Sequence, residues 1–254
     1  MNIVVPVKLV PDLVEELTID DGGTALDTEW LRMTLNEFDD HAIEQAILLK
    51  EQHGGQVTVI APDVEEVEDV LFAAAARGAD RLIKMSGNFT EQANNHALAR
   101  ALAATVADLR PDLVLTGVQT HNDLDGPVGP LLAAYLELPY LGYVAGVTMS
   151  DNQAIARKEY PGGLIAEMEV TLPAVLGIQA SAQPPRYVAF SRIRQAMKTV
   201  ELEEIAADDL DSAGGPTVGR MFQPEVGERA TMLEGDEEEV AAKLVNILRE
   251  AGVL

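Results

Sequence analysis

The chain has 254 residues and not one cysteine. Disulfides, thiolate nucleophiles and cysteine-ligated iron–sulfur clusters are thereby excluded. Catalytic signatures are missing too: there is no GxSxG, no HExxH, no GxxxxGK(S/T) loop and no GxGxxG. The four histidines, His41, His53, His96 and His121, are scattered, and no pair has metal-ligand spacing. They read as ordinary surface or helix residues. Basic side chains are scarce, with 18 Lys and Arg against 42 Asp and Glu, for a net charge of −24. So acidic a surface repels phosphate backbones and anionic headgroups, so no nucleic-acid partner and no stable membrane insertion are expected. The charge serves either solubility or complementarity to a basic partner. The opening MNIVVPVKLVPD has no basic region before its apolar run. That run is too short for a signal peptide or a membrane span, and a cytoplasmic location is expected.

What is present points to an α/β chain. Apolar residues make up 47%, enough for a sizeable core. Ile3 to Lys8 is a β-rich run, and a strand at this position tends to lie centrally in a parallel sheet. Asp20-Asp21-Gly22-Gly23 is turn chemistry. Asp39 to Lys50 reads as a helix, with Ala42, Ile43, Ala46 and Ile47 at helical spacing and Gly54-Gly55 ending it. Val57 to Ala61 is the next strand. Pro62-Asp63 opens a helix to about Arg77, capped by Gly78. Arg81 to Met85 is a third strand, Thr90 to Leu109 an Ala-rich helix, and Leu113 to Thr116 a fourth strand. This alternation implies a parallel sheet with helices on its faces.

Beyond Gly117 the texture changes. A polar loop, Val118 to Gly129, leads into a helix near Leu131 to Glu137. β-like segments follow around Tyr143–Met149, Ala166–Leu172 and Val175–Gln179. Pro184-Pro185 starts a basic stretch to Lys198 that reads as irregular. Glu201 to Asp211 is strongly acidic, Gly214-Gly215-Pro216 resembles a linker, and Glu237 to Ala251 is a terminal helix with Val240, Leu244, Ile247 and Leu248 on one face. Three regions are expected: an α/β domain over 1–183, a distinct segment over 184–200, and a C-terminal linker and helix over 201–254.

Two places invite function. The loop Gly117-Val118-Gln119-Thr120-His121-Asn122-Asp123-Leu124-Asp125-Gly126-Pro127-Val128-Gly129 follows a strand and precedes a helix, where open α/β sheets bind ligands. Gly126 and Gly129 allow close backbone approach, and a helix N-terminus offers amide donors. A plain polar loop is the competing reading. The second place, Gln183 to Lys198, sets Arg186, Arg192, Arg194 and Lys198 among Tyr187, Phe190 and Ile193. Aromatic anchors ringed by charge resemble a protein-binding hot spot. An ordinary basic helix or strand is the alternative.

Several segments, in colinear order along nearly the whole chain, together resemble the β subunit of electron-transferring flavoproteins. The family's MNPFD segment and the helix after it are similar to Leu35-Asn36-Glu37-Phe38-Asp39-Asp40-His41-Ala42-Ile43-Glu44 and Leu49-Lys50-Glu51. Its GADR is Gly78-Ala79-Asp80-Arg81, and its nucleotide loop resembles Gly117 to Leu124. Gly162-Gly163-Leu164, Leu172-Pro173-Ala174-Val175, and the ending Leu233-Glu234-Gly235-Asp236 through Gly252-Val253-Leu254 also match. The family's PRY recognition loop is similar to Pro185-Arg186-Tyr187-Val188-Ala189-Phe190.

The resemblance implies a Rossmann-like parallel sheet, of the adenine nucleotide alpha hydrolase type, with a C-terminal extension. It implies a larger α subunit that carries the redox FAD, and AMP or a second FAD in the β site. Nucleotide contacts would fall on Pro6, Asn36, Glu37, Phe38, Asp39, Pro62 and Gly117 to Val128. The recognition loop would dock a dehydrogenase through Phe190, with Arg186, Tyr187, Arg192 and Ile193 around it. The chain would be an electron carrier without catalytic residues of its own. At the family's phosphate site, D-x-NQT, this chain has Asp125-Gly126-Pro127-Val128. Pro127 brings no amide proton and Val128 no hydroxyl. The Val-Gly-Pro ending resembles electron-bifurcating relatives, which carry Arg where Val118 stands here. Two rival functions are an ATP-using enzyme on a related fold and a nucleotide-responsive scaffold without electron transfer.

Overall fold

The computed structural model describes residues 1–87, 89, 94–150, 153–207, 213–225, 227 and 230–254. They divide into two compact units, Met1–Arg220 and Met221–Leu254.

The first unit is built from alternating strands and helices. β1 (Asn2–Pro6) is followed by a small antiparallel pair, β2 (Leu9–Pro11) and β3 (Met33–Leu35). Then come α1 (Glu37–His53), β4 (Gln56–Pro62), α2 (Val67–Arg77), β5 (Arg81–Ser86), α3 (Asn95–Leu109), β6 (Leu113–Gly117) and α4 (Val128–Leu136). A meander of β7 (Tyr140–Ser150), β8 (Gln153–Tyr160) and β9 (Leu164–Thr171) precedes β10 (Ala174–Ile178). α5 (Phe190–Thr199) and β11 (Leu202–Ala206) complete the unit's elements. The second unit contains α6 (Glu237–Glu250), whose Glu239 amide donates to the N-cap Asp236 side chain.

One nine-stranded sheet runs β11-β5-β4-β1-β6-β10-β7-β8-β9. Strands from β11 through β7 pair in parallel, and β8 and β9 extend the sheet antiparallel. The central strands read as near-continuous Val, Ile and Leu because helices cover both of their faces. Alternate residues feed two cores. Ile3, Val5, Val57, Val59, Leu113 and Leu115 enter one core with residues of α1, α2 and Ala196 of α5. Val4, Ile60, Val114 and Val175 enter the other with residues of α3 and α4.

The order of strands explains the two layers. From β1 the chain moves outward to β4 and β5, then returns across β1 to start β6 on the other side. Right-handed crossovers in opposite directions put α1 and α2 on one face and α3 and α4 on the other. The reversal leaves a crevice at the C-terminal ends of β1 and β6, the topological switch point.

Three sequence expectations need correction. The stretch after Pro184-Pro185 is not irregular to its end: Phe190–Thr199 is helical, and Ile193 and Ala196 pack on the core. Part of the acidic run from Glu201 belongs to the sheet, because Leu202–Ala206 pairs with β5. That strand lies in the first compact unit, which runs to Arg220. The Ala-rich helix starts at Asn95, with Asn94 accepting from the Ala97 amide; residues 90–93 of its expected span lie outside the described residues.

Candidate functional site

The switch-point crevice is lined by Pro6, Val7 and Lys8 after β1, Asp39 from α1, Leu98 and Leu102 from α3, Thr116 and Gly117 at the end of β6, Gln119, Thr120 and Asp123 from the loop, and Val128 of α4. One wall is apolar and the floor is polar. Seven of the expected nucleotide contacts meet here: Pro6, Asp39, Gly117, Gln119, Thr120, Asp123 and Val128.

Asp39 organises the floor. Its carboxylate is buried and accepts from the backbone amides of Lys8 at 2.8 Å and Gly117 at 2.7 Å. Burial pushes its pKa up to about 7, against the pull of those two amides, Asn36 and the Lys8 charge. Gly117 is required by contact distance: a Cβ there would lie 2.4 Å from Asp39 Oδ1. Asn36 lies behind the floor and donates to the Gln119 carbonyl at 3.0 Å.

Lys8 organises the loop. Its ammonium donates to Asn95 Oδ1 at 3.0 Å, Thr120 Oγ1 at 3.3 Å and Asp123 Oδ1 at 3.2 Å. Asp123 also accepts from the Thr120 amide at 2.7 Å and from Asn95 Nδ2 at 2.6 Å. Asp125 turns away from the crevice to cap α3, accepting from the Asn95 amide at 3.2 Å, the His96 amide at 3.1 Å and His96 Nδ1 at 2.8 Å. Burial acts to raise the Asp125 pKa, but the His96 ring and these amides outweigh it and hold it low. Gly126 gives its carbonyl to Asn95 Nδ2 at 2.8 Å, and Pro127 is the N-cap of α4.

The remaining expected contacts lie elsewhere. Val118 is buried and its amide bonds the Ile178 carbonyl at 2.9 Å. His121, Asn122 and Leu124 are exposed outside the lining. Glu37 is exposed and Phe38 half-buried in the first turn of α1, and Pro62 ends β4. Sequence reasoning missed Lys8, Thr116, Asn95, Leu98 and Leu102. A lysine directly after the central strand, and the Asn pair opening α3, were the available signals.

The crevice offers a ligand two features, an apolar wall of Pro6, Leu98, Leu102 and Val128 and an unpaired buried hydroxyl. Thr116 Oγ1 is buried without a hydrogen-bond partner, and Gly129 is packed so close that a Cβ would lie 2.6 Å from it. That hydroxyl is a ready donor or acceptor.

Residues 181–186 lie along α1, and α5 packs against α2. His41 Nδ1 meets Ser181 Oγ at 2.9 Å, and Gln45 Oε1 accepts from the Ala182 amide at 3.0 Å. Arg186 donates to Glu44 through its amide at 3.1 Å and Nε at 2.8 Å, and to Glu51 at 2.5 and 3.0 Å. The hydrogen bond from Arg186 lowers the Glu51 pKa, and the Glu51 carboxylate raises that of Arg186. Tyr187 is 91% and Phe190 72% exposed. The Arg194 guanidinium stacks 5.9 Å from the Phe190 ring centre. Arg192 is exposed, whereas Ile193 is half-buried against the core.

A family profile described as "Electron transfer flavoprotein domain" matches residues 24–210. The chain is similar to electron transfer flavoprotein subunit beta of Methylophilus methylotrophus, at 34% identity over 262 residues covering 98% of each chain. It is similar to the subunit of the same name from Bacillus subtilis (strain 168), at 32% over 263 residues and the full length of both. It also matches Protein FixA of Azorhizobium caulinodans, at 29% over 262 residues, covering 96% of this chain and 92% of that one. With its fold, its crevice and these full-length relationships, the chain belongs to the electron transfer flavoprotein family, among its β subunits.

Proposed function

We propose that this chain is one half of a cytoplasmic heterodimer that relays electrons from a dehydrogenase to a downstream acceptor. Its partner is a larger α subunit holding the FAD that accepts and releases the electrons. This chain binds an adenine nucleotide, AMP or a second FAD, in the crevice between β1 and β6. It presents Tyr187 and Phe190 to the donor.

The full-length relationship to proteins named as β subunits carries the reading. The crevice supports the nucleotide part: Pro6, Leu98, Leu102 and Val128 would flank the base, and Thr116 would supply a hydrogen bond. Lys8 and Asn95 would hold the loop's shape through Asp123. No residue here need act as acid, base or nucleophile, because the flavin supplies the redox chemistry. An ATP-using enzyme or a redox-silent scaffold is not favoured by relatives with these names.

The test is co-expression with the α subunit, purification, denaturation and mass spectrometry of the released nucleotides, with flavin counted per heterodimer. One FAD plus AMP supports the carrier reading with an AMP site. Two FAD supports it with a second flavin in the crevice, the arrangement of electron-bifurcating relatives. One FAD alone retains the carrier and removes the nucleotide role. No complex and no flavin overturns the proposal.

A further inference from the structure

Arg186 stands beside the two most exposed aromatic side chains of the 181–200 segment, yet its own guanidinium faces inward. Glu44, its first partner, has a side chain only 2% exposed. That carboxylate receives both the Arg186 amide and Nε. The other side of the guanidinium fork reaches Glu51, two helical turns along α1. The planar fork grips Glu51 through two N–H bonds while Nε serves Glu44, a fixed geometry that a lysine ammonium does not reproduce.

The attachment is part of a seam. His41, Glu44, Gln45 and Glu51 share one face of α1 at helical spacing, and they hold Ser181, Ala182 and Arg186 in order. Just three residues, Tyr187–Ala189, separate Arg186 from the start of α5. That helix is fixed by Ile193 and Ala196 against the core. Pro184 and Pro185 restrict the approach from the other side. Tyr187 and Phe190 therefore project from backbone held at both ends.

We propose that Arg186 is a positioning residue, which clamps the docking segment to α1 through Glu44 and Glu51 and thereby pre-orders Tyr187 and Phe190 for the electron donor. It is not itself a contact for the donor. The inference rests on the docking role proposed above for this segment. Holding the anchors in place before encounter removes an ordering cost from binding, so loss of the clamp weakens docking and leaves the electron-transfer step alone.

The test uses the purified heterodimer with Arg186→Met, Arg186→Lys, Glu51→Gln and Phe190→Ala. Glu51 is the exposed partner, so its variant guards against a folding failure of the Arg186 changes. The donor is a purified flavin dehydrogenase chosen because it reduces the unaltered heterodimer. Hydrogen exchange is read at the amides of Ala182 and Arg186, which donate to Gln45 and Glu44, and of Arg192 and Ile193, which close the first turn of α5 on the Ala189 carbonyl, with β1 and β6 as the internal reference for an intact fold. Expected are exchange faster by about tenfold at these amides in both Arg186 variants, KM for the heterodimer raised about fivefold or more, and kcat within about twofold of the parent. Glu51→Gln shifts both readings in the same direction by less. Unaltered exchange in Arg186→Met overturns the clamp. Faster exchange with unaltered KM, beside a raised KM in Phe190→Ala, overturns the positioning role while the docking reading stands. Unaltered KM in Phe190→Ala as well, or no dehydrogenase that reduces the complex, overturns the docking reading and this inference with it.

Discussion

Asp39 and Gly117 are 78 residues apart in sequence, and the carboxylate of one accepts the amide of the other at 2.7 Å. The same carboxylate takes the amide of Lys8 at 2.8 Å. One buried side chain thus ties together the loops that leave β1 and β6, the two strands that define the switch point.

Because a Cβ on residue 117 would lie 2.4 Å from Asp39 Oδ1 and 2.9 Å from both Asn36 Nδ2 and the Asp39 amide, Gly117→Ala forces this tie apart. The expected loss of stability is about 1–3 kcal/mol, the range for overpacking a close-fitted site. Urea unfolding measures it, and the heterodimer should also retain less nucleotide. An unaltered midpoint would sink the argument from contact distance.

Stability should depend on pH through Asp39. Burial raises its folded pKa from 3.8 to about 7. Between those values the folded state binds more protons than the unfolded one, so stability falls as pH rises. The contribution is complete below about pH 3.8 and lost as pH climbs through about 7. Asp39→Asn should flatten this part of the profile relative to the parent, whatever it does to absolute stability. Denaturant midpoints at several pH values across the window compare the two slopes; parallel profiles would exclude Asp39 as their source.

The central α/β alternation was legible in sequence because the strands are buried on both faces and so read as apolar runs. β8 and β11 were not. The sequence of β8, QAIARKEY, alternates only weakly because much of its length is exposed. In β11, Leu202 and Ile205 are half-buried, while Glu203 pairs with Arg81 at 2.8 Å and Glu204 with Lys84 at 3.1 Å. Those two acids made a sheet strand resemble part of an acidic tail. The helix α5 was hidden by its basic residues and by having only one buried side chain, Ala196. At the site, the Gly117–Gly129 loop was visible from its glycines and its place after a strand. Lys8 and Asn95 were not, because they reach that loop from 115 and 28 residues away and nothing local announces the contact.

Lys8→Met should loosen the crevice without unfolding the sheet. The Asp123 side chain is only 9% exposed, and it would keep Thr120 and Asn95 as donors while losing its cation. Removing one partner of such a pair costs about 1–3 kcal/mol. Adding Asp123→Asn should recover part of the loss, since the uncompensated charge is gone. A double-mutant cycle on thermal unfolding, with nucleotide counted per heterodimer, reads both effects. Strict additivity would mean that the two residues are not coupled.

Phe190→Ala should separate docking from cofactor content. The ring is 72% exposed, so its removal takes little from the core. It lies far along the chain from the crevice residues, and flavin and nucleotide per heterodimer should stay at the parent values. A hot-spot aromatic is worth about 2 kcal/mol or more, so KM for the heterodimer should rise roughly thirtyfold at fixed dehydrogenase. Arg194 lies over the ring, and Arg192 and Lys198 are exposed on the same helix, so α5 carries positive charge on a chain of net −24. Added salt should therefore raise KM for the parent, by screening this local attraction to an acidic donor surface. A salt effect of the opposite sign would mean that the overall negative charge, and not this basic patch, governs the encounter. Steady-state reduction at several ionic strengths distinguishes the two, and an unaltered KM in the alanine variant would remove Phe190 from the docking surface.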